Sequence, residues 1–490
     1  MKTLRELLDG MDYELVKGSL DVPVGDIIYD SRKECGGNAF VCIRGTKIDS
    51  HDFIPDVAAR GAAAVIIERD VPVEADITVV RVPAARKALA ELSAAHFDHP
   101  TRKMTTIGLT GTKGKTTSTY MLKAILKAAG KKVGLVGTNG AVIAGEHFTT
   151  NNTTPESYEL QQYFHRMVEA GCEYMIMEVS SQGLMMDRVA GIHFDIGVFT
   201  NITPDHIGPG EHSSFEEYRS WKGELFKRCD IGIVNRDDPN CEALLAGHTC
   251  EIRTFGQKEE DDFRATEIRH LQNGSFMGVS FMLSGKYGSF PVEVGIPGLF
   301  SVYNALGALG AALTLGISQE AILSALKSIR VNGRMELVYA SDRFSVIVDY
   351  AHNGVSTRSL LETLRDYNPK RLVVVFGCGG NRDPHRRYEM GEVAGEMADL
   401  SIVTADNSRF EKVEDIIADI HIGLDPTGGA FVDIPDRREA IRYSIEQAQP
   451  GDVIAIIGKG HEDYQEVCGV KTHFSDREEA EAVLRDLGLQ

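Results

Sequence analysis

The segment Thr105-Thr106-Ile107-Gly108-Leu109-Thr110-Gly111-Thr112-Lys113-Gly114-Lys115-Thr116-Thr117 decides the fold of the middle of the chain. An apolar run typical of a buried strand leads into a glycine turn, and a helical pattern follows from about Lys115 to Ala129. Backbone N–H groups of such a turn and the positive end of the helix bind phosphate oxygens. Lys115 would reach the terminal phosphates, and the Thr116 hydroxyl can ligate the Mg²⁺ that accompanies ATP. The segment predicts an ATP-binding loop, formed by Gly111, Thr112, Lys113, Gly114, Lys115, Thr116 and Thr117.

Strand-like and helical patterns alternate on both sides of this loop, as in α/β proteins with mostly parallel sheets. At 490 residues, and about 150 residues per domain, we expect three domains. These are a small N-terminal α/β domain (1–99), a central doubly wound domain with the phosphate loop (100–332) and a C-terminal Rossmann-like α/β domain (333–490). The buried-strand candidates are 132–137, 174–179, 195–200 and 231–235 in the central domain, and 345–350, 371–377, 400–404 and 452–457 in the last.

Charge and cysteine usage narrow the class of protein. The net charge of −19 disfavours a nucleic-acid partner. The eight cysteines form no CxxC pair, which argues against a disulfide framework and a zinc ribbon and favours a reducing cytosol. The amino terminus lacks the apolar stretch of a secretory signal, and no apolar run reaches membrane-spanning length. We therefore expect a cytoplasmic protein, monomeric and without a membrane partner.

Two further strand ends carry polar residues that could bind a metal. Glu178 ends the 174–179 strand candidate, and His206 follows the strand-like run 198–201. Ligands in open α/β sheets bind at the carboxyl ends of strands. His206 with Glu211 and His212 could suggest zinc, but oxygen-rich surroundings beside an ATP loop favour Mg²⁺ or Mn²⁺.

Three blocks of sequence, in this order, resemble those of the Mur ligases: 110–117 (TGTKGKTT), 178–181 (EVSS) and 200–206 (TNITPDH). The chain is most similar to the MurE type, which adds the third residue of the peptidoglycan peptide, and the resemblance spans nearly the whole chain. It implies an ATP-dependent carbon–nitrogen ligase that uses Mg²⁺, ATP and UDP-MurNAc-L-Ala-D-Glu.

The resemblance also implies roles for individual residues. Thr116 and Glu178 would hold one Mg²⁺, and Glu178 with His206 a second; Lys115 and Lys222 complete the catalytic set. Lys222 matches a lysine that these enzymes carbamylate. Arg334 and Asp349 would join the ATP site, closing over it from the last domain. The segments 30–32 and 45–53 would hold the uridine nucleotide, and the contacts to the UDP-MurNAc-dipeptide would come from Ser31, Thr153, Thr154, Ser180 and Arg188.

The incoming amino acid depends on Arg409. Members that add meso-diaminopimelate carry Asp-Asn-Pro-Arg, and this chain reads Asp406-Asn407-Ser408-Arg409. A guanidinium binds a carboxylate with two hydrogen bonds, so Arg409 favours a diamino acid with a second carboxylate. The serine in place of proline loosens the turn that aims Arg409, and 206–212 (HIGPGEH) also departs from the family pattern. By resemblance the amino-acid pocket comprises Arg382, Asp406, Asn407, Arg409, Gly458 and Glu462.

The expected reaction transfers the γ-phosphoryl group of ATP to the D-Glu side-chain carboxylate, and an amine then attacks the acyl phosphate. His352 is a candidate acceptor for the proton of the amine. L-lysine addition, or another Mur-like ligation of the folylpolyglutamate or cyanophycin synthetase type, stays open. A phosphotransferase or a non-ligase ATP-binding module are the alternatives from other classes.

Overall fold

The computed structural model describes residues 1–45, 48–208, 210–274 and 276–489. The chain divides into two compact units, the first formed by Met1–Gly256 and Gly307–Ser318 and the second by Gln257–Leu306 and Gln319–Gln490. Both contain parallel sheets flanked by helices, which confirms the predicted α/β class. The predicted boundaries at residues 99 and 332 stay a prediction.

The amino-terminal part of the first unit contains a five-stranded sheet in the order β2-β7-β6-β5-β4. Strands β4 to β7 are parallel and β2 is antiparallel to β7. Alanine- and leucine-rich faces of its helices pack on the sheet. The elements are β1 (Lys2–Thr3), α1 (Leu4–Leu7), β2 (Glu14–Lys17), β3 (Pro23–Val24), β4 (Ile27–Ile28), β5 (Ala39–Val41), α2 (Ile54–Ala59), β6 (Ala64–Ile67), β7 (Thr78–Arg81) and α3 (Ala85–His96).

The rest of the first unit is built on a sheet whose strands run in the order β11-β10-β9-β12-β8-β13-β14-β15. The elements are β8 (Thr105–Thr110), α4 (Lys115–Ala128), β9 (Val133–Gly137), β10 (Gly140–Ile143), β11 (Glu146–Phe148), α5 (Ser157–Glu169), β12 (Tyr174–Glu178), α6 (Ser181–Met185), β13 (Phe194–Phe199), α7 (Phe215–Gly223), β14 (Cys229–Asn235), α8 (Cys241–Leu244) and β15 (Glu251–Gly256).

The order of these strands defines where a ligand binds. From β8 the chain first builds β9 and β12 on one side and then β13, β14 and β15 on the other, and these six strands are parallel. The reversal creates a crevice at the carboxyl ends of the central strands. The strand candidates of this domain coincide with β9, β12, β13 and β14, whereas the antiparallel hairpin β10–β11 was not predicted.

The second unit combines an antiparallel meander, β16 to β18, with a six-stranded sheet in the order β19-β20-β24-β21-β22-β23. All strands of the six-stranded sheet except β19 are parallel. The predicted strands coincide with β20, β21, β22 and β24. The elements are β16 (Phe263–Asn273), β17 (Phe276–Gly285), β18 (Phe290–Val294), α9 (Leu299–Thr314), α10 (Gln319–Ser328), β19 (Glu336–Ala340), β20 (Phe344–Asp349), α11 (Gly354–Arg365), β21 (Arg371–Phe376), α12 (His385–Met397), β22 (Leu400–Val403), α13 (Val413–Leu424), β23 (Phe431–Asp433), α14 (Arg437–Glu446), β24 (Asp452–Ile457), β25 (Tyr464–Val467), β26 (Val470–His473) and α15 (Asp476–Asp486). The part of α9 from Gly307 onward belongs to the first unit.

A buried ion pair holds the carboxyl ends of two strands in this sheet. Arg437 and Asp476 are fully buried, with guanidinium nitrogens 2.7 Å from each carboxylate oxygen. The same guanidinium donates to the carbonyls of Ala405, beyond the end of β22, and Ile457, the last residue of β24. Asp406 and Gly458, two predicted pocket residues, follow these carbonyls directly.

Among residues 1–45, 48–208, 210–274 and 276–489, no helix combines the length and apolar composition required to cross a bilayer.

Replacing Asp476 by alanine should destabilise the second unit. The buried Arg437 charge would lose its counter-ion, which costs about 3–5 kcal/mol of the free energy of unfolding. The free energy of unfolding in urea, monitored by hydrogen exchange of the β22 and β24 amides, measures this loss. Glu479→Ala is the control, because it removes a carboxylate 2.7 Å from the exposed Arg438 on the same two helices and should cost less than about 1 kcal/mol. Equal losses in the two variants would contradict the prediction.

Candidate active site

The phosphate loop follows β8 at the crevice, as the sequence predicts. The segment after β13 holds the loop: Thr112 N–H donates to the Asn201 carbonyl at 2.8 Å, and Lys113 N–H to the Asn201 side-chain oxygen at 3.0 Å. A Cβ atom on Gly111 would lie 2.0 Å from the Thr200 hydroxyl, so only glycine fits there. Gly114 has a φ of 85° and α4 begins at the next residue without a side-chain cap. The loop therefore presents the amino end of α4 at the carboxyl edge of the sheet.

Two lysine side chains meet at one backbone oxygen of this loop. Lys115 Nζ and Lys222 Nζ each lie 2.8 Å from the Gly111 carbonyl oxygen. Lys222 is buried and lies 4.6 Å from the centre of the Tyr218 ring. Burial, and then repulsion by Lys115, lower the pKa of Lys222 well below its usual value, while Asp205 acts in the opposite direction. The predicted carbamylation site is thus a buried amine with reduced affinity for its proton.

Glu178 is the other buried charge at this edge. Its Oε1 accepts hydrogen bonds from the Thr116 hydroxyl at 2.9 Å and the Thr138 N–H at 3.0 Å, and its Oε2 accepts one from the Thr138 hydroxyl at 3.1 Å. A hydroxyl and a carboxylate oxygen side by side are ligands of the hard type that Mg²⁺ prefers, so these two residues fit that ion. Thr138 was not singled out from the sequence, because no motif marks it.

Two histidines follow β13, and the role of His206 as a metal ligand with Glu178 stays a prediction. His206 is exposed, has a φ of 53°, and contacts Glu211 at 3.1 Å. In the part of the chain that the structure describes, it makes no hydrogen bond to Glu178. His212 is buried and its Nε2 lies 2.9 Å from the Ser181 hydroxyl. Within the described residues no cluster of three or more His, Cys, Asp or Glu side chains could hold a metal; Pro209, part of the departing 206–212 segment, lies outside them.

Four of the five predicted muropeptide contacts surround Glu178. The Thr154 hydroxyl donates to the Glu178 carbonyl at 2.9 Å and accepts from the Ser180 N–H at 3.0 Å, and Arg188 donates to the Thr154 carbonyl at 3.0 Å. The Thr153 hydroxyl lies 3.1 Å from the Thr138 hydroxyl, which in turn donates to Glu178. These side chains form one hydrogen-bonded group that continues from the crevice.

Ser31, the fifth predicted contact, makes no hydrogen bond to that group in the described chain; its carbonyl accepts from Arg60. A cavity of about 230 Å³ includes three residues of the predicted uridine segment, Gly45, Ile48 and Ser50. Glu156, also on its wall, contacts Arg188 at 2.8 Å. Thr46 and Lys47, predicted with the same segment, lie outside the described residues.

In the second unit, Arg334 and Asp349 lie together at the end of β20. Asp349 accepts the N–H groups of Met335 at 2.7 Å and Ala351 at 2.8 Å, and burial raises its pKa while Arg334 opposes this. The Arg334 guanidinium lies 4.7 Å from the centre of the Tyr350 ring, and its Nε is buried with no hydrogen-bond partner in the structure as described. The exposed His352 lies 2.8 Å from the Tyr350 carbonyl through Nδ1.

The predicted amino-acid residues meet at the ends of β21, β22 and β24. Asn407 donates to Glu462 Oε2 at 2.8 Å, and its side-chain oxygen accepts from Lys459 Nζ at 3.2 Å. A Cβ on Gly458 would lie 2.8 Å from Asp406 Oδ2, so these strand ends touch. Lys459 is fully buried, although it lies within a predicted block and was given no role from the sequence.

Arg409 is held from both sides. It has a φ of 51°, its N–H donates to the Glu466 carbonyl at 3.0 Å, and its own carbonyl accepts from the Cys468 N–H at 2.6 Å. Its Nη1 donates to the Gly380 carbonyl at 2.7 Å. A Cβ on Gly379 would lie 3.1 Å from Arg409 Nη1 and 3.7 Å from Arg382 Cγ, so the side chains of both arginines lie next to Gly379. The β25–β26 hairpin thus fixes the Arg409 backbone even though a serine precedes it.

Folding stability should depend on His461, whose ring centre lies 4.8 Å from that of Tyr350. Burial, and then the Arg334 charge, lower the pKa of His461 to about 4, while Asp463 opposes this. The ordinary pKa of about 6.5 applies to the unfolded chain. Between these values the unfolded state binds a proton that the folded state does not, so stability falls as the pH drops from 6.5 and levels off below 4. The loss is about 3 kcal/mol.

Denaturant unfolding between pH 7 and pH 4 measures this dependence, and His461→Gln should lack it. His193→Gln, at an exposed histidine paired with Asp230, is the control and should keep it. An unchanged pH profile in His461→Gln would contradict the assignment.

Comparisons with known proteins identify the family of the chain. Residues 24–97 match the description "Mur ligase family, catalytic domain", residues 109–312 "Mur ligase middle domain" and residues 333–460 "Mur ligase, glutamate ligase domain". The chain is 42% identical over 482 residues to the UDP-N-acetylmuramoyl-L-alanyl-D-glutamate–2,6-diaminopimelate ligase of Clostridium perfringens, covering 97% of this chain and 98% of that one. The ligase of the same name from Geobacillus kaustophilus is 42% identical over 469 residues, 94% of each chain.

Solved structures show the same relationship. A structure of an enzyme with that name has a TM-score of 0.75 and 30% identity, covering 99% of both chains. The UDP-N-acetylmuramoylalanyl-D-glutamyl-2,6-diaminopimelate–D-alanyl-D-alanyl ligase of Acinetobacter baumannii shares the fold, with a TM-score of 0.61, 22% identity, and coverage of 100% of this chain and 98% of that chain. The resemblance to the MurE type is confirmed, and the chain belongs to the Mur ligase family of ATP-dependent ligases.

Proposed function

We propose that this chain joins meso-diaminopimelate to UDP-MurNAc-L-Ala-D-Glu in peptidoglycan precursor synthesis, with ATP as the energy source. The observation that carries the proposal is the fixed Arg409 guanidinium beside Asn407 and Arg382 at the ends of β21 and β22. A second carboxylate on the incoming amino acid matches such a guanidinium. Relatives 42% identical over nearly the full length are named for 2,6-diaminopimelate, which supports the same acceptor.

The phosphate half of the reaction is assigned to the first unit. The backbone of residues 111–117 would bind the phosphates, and Lys115 would offset charge on the γ-phosphoryl group. Thr116 and Glu178 would hold Mg²⁺, which neutralises phosphate charge when bound. His206, as a ligand of a second Mg²⁺ with Glu178, and Arg334 and Asp349, as further ATP-binding residues, stay predictions from the family resemblance.

The muropeptide would bind along the hydrogen-bonded group around Glu178. Thr153, Thr154, Ser180 and Arg188 supply its polar contacts, and the 230 Å³ cavity is assigned to the uridine nucleotide. This path leads the substrate to the phosphate loop at the crevice.

The reaction balances in two steps. An oxygen of the D-Glu side-chain carboxylate attacks the γ-phosphorus, the bond to the ADP oxygen breaks, and an acyl phosphate forms. The neutral amine of diaminopimelate then attacks the acyl carbon, the amide bond forms and inorganic phosphate leaves. The amine releases one proton, for which His352 is the candidate acceptor.

Lys222 should carry a carbamate, formed when its neutral amine attacks CO₂ and releases a proton. The lowered pKa favours this, because more of the amine is neutral, and carbamate formation should increase as the pH rises through that lowered pKa. Labelling with ¹³CO₂ should give a carbamate ¹³C resonance that is absent from Lys222→Gln. Lys123→Gln is the matched control, since burial also lowers the pKa of that lysine, and it should retain the signal. A resonance that persists in Lys222→Gln would contradict the site.

Phosphate release tests the acceptor. With ATP, Mg²⁺ and UDP-MurNAc-L-Ala-D-Glu, the protein should prefer meso-diaminopimelate to L-lysine, and Arg409→Ala should raise KM for diaminopimelate about 10- to 100-fold, the loss of a charge-assisted contact. KM for L-lysine should stay unchanged, because lysine has no second carboxylate. Arg438→Ala, at an exposed arginine of α14, is the control. No release with either acceptor would refute the proposed function, and a preference for lysine would refute the role of Arg409.

A further inference from the structure

A pair of opposite charges lies where the distal end of the acceptor would bind. Glu466 Oε2 lies 3.6 Å from Arg409 Nε, and the side chains of both residues are 20% exposed. Glu466 belongs to β25, whose backbone also bonds to Arg409 and, through the Glu466 N–H, to the Asn407 side-chain oxygen at 2.9 Å. Sequence patterns did not single out Glu466, because it follows the last motif of the pocket and meets Arg409 only through the hairpin.

Both charges keep unused hydrogen-bonding capacity. A distance of 3.6 Å is too long for a hydrogen bond from Arg409 Nε to the Glu466 carboxylate. No other described residue donates a hydrogen bond to these carboxylate oxygens either. Arg409 uses Nη1 on the Gly380 carbonyl, and its Nη2 has no hydrogen-bond partner within the described ranges. Gly379 leaves room beside the guanidinium, since a Cβ there would lie 3.1 Å from Nη1. The Glu466 carboxylate and Arg409 Nη2 therefore keep hydrogen-bonding capacity, side by side, that a ligand could use.

Glu462, the second acidic residue of the pocket, already has a counter-charge. Glu462 Oε2 accepts from Asn407 at 2.8 Å and lies 3.3 Å from the ammonium of the fully buried Lys459. Lys459 therefore already compensates the Glu462 charge. Among the described residues, Arg409 is the cation within 4 Å of the Glu466 carboxylate, and a bound carboxylate would compete for that guanidinium. Lys471 is opposite Glu466 in the β25–β26 register, but its ammonium lies over the Tyr464 ring, 4.1 Å from the ring centre. When Arg409 binds a carboxylate, the Glu466 carboxylate is free to pair with a cation of the ligand.

The distal carbon of diaminopimelate carries both groups, an ammonium and a carboxylate. We propose that Glu466 is a specificity-determining residue that binds the distal ammonium of the acceptor while Arg409 binds the carboxylate on the same carbon. The two residues together bind the zwitterionic end of an amino acid. They thereby distinguish diaminopimelate from an acceptor whose distal end carries only one of these charges. The inference rests on the proposed function.

The test compares two acceptors that differ only at the distal carbon: meso-diaminopimelate and L-2-aminopimelate, which has the second carboxylate and lacks the second amine. KM for each is measured by phosphate release from the full-length protein at saturating ATP and UDP-MurNAc-L-Ala-D-Glu. Glu466→Gln preserves shape and removes the charge. Glu479→Gln is the matched control, because Glu479 has a similarly exposed side chain, also pairs with an arginine, and lies on α15.

Glu466→Gln should raise KM for diaminopimelate about tenfold and change KM for L-2-aminopimelate by less than about twofold, since a lost charge-assisted contact has that size. KM for ATP should be unchanged, and Glu479→Gln should resemble the wild type. An equal rise for both acceptors would overturn the inference, because Glu466 would then only orient Arg409; no change for either would overturn it as well. These results leave wild-type addition of diaminopimelate intact, whereas a wild type inactive with both acceptors would refute the proposed function together with the inference.

Discussion

Charged side chains buried at the carboxyl ends of parallel strands are the constraint on which both units depend. Parallel strands end at one edge of a sheet, so ligand-binding groups converge there, and a desolvated charge requires partners at that edge. Glu178 accepts hydrogen bonds from Thr116 and Thr138, Lys222 donates to the Gly111 carbonyl, and Arg437 pairs with Asp476. Each contact joins segments far apart in sequence. The folded chain therefore holds its polar groups in place before any substrate arrives, which limits the reorganisation that catalysis requires.

Local patterns were sufficient to predict the framework of the site. The glycine turn between an apolar run and a helix identified the loop after β8, and short apolar runs located the parallel strands, because buried strands are nearly continuous hydrophobic segments. The β16–β18 meander was missed: polar and apolar residues mix along it, and more than half of its positions are exposed or only partly buried. Tertiary pairing outweighs local preference in such strands.

The contacts that tune the site could not be predicted in this way. Lys222 occurs in an ordinary amphipathic helix, and only the packing of α7 places its amine 2.8 Å from the Gly111 carbonyl. Lys459 and Glu466 likewise acquire their partners through strand ends and a hairpin that come together in space. Family resemblance supplied the role of Lys222 but said nothing of Glu466, whose relevance follows from its distance to Arg409. Charge compensation depends on neighbours, and a single sequence does not show which residues are neighbours.

The β25–β26 hairpin forms a two-stranded sheet of its own, outside the six-stranded sheet that carries the other strand ends. It nevertheless supplies Glu466 and the backbone groups that fix Arg409. If Arg409 and Glu466 have the roles proposed for them, substitutions in these ten residues would change which amine is selected while the six-stranded sheet keeps its strands. Acceptor choice would then be an evolvable property: a lineage would alter the chemistry of its cell-wall cross-links through one short hairpin while the phosphate-binding loop is inherited unchanged.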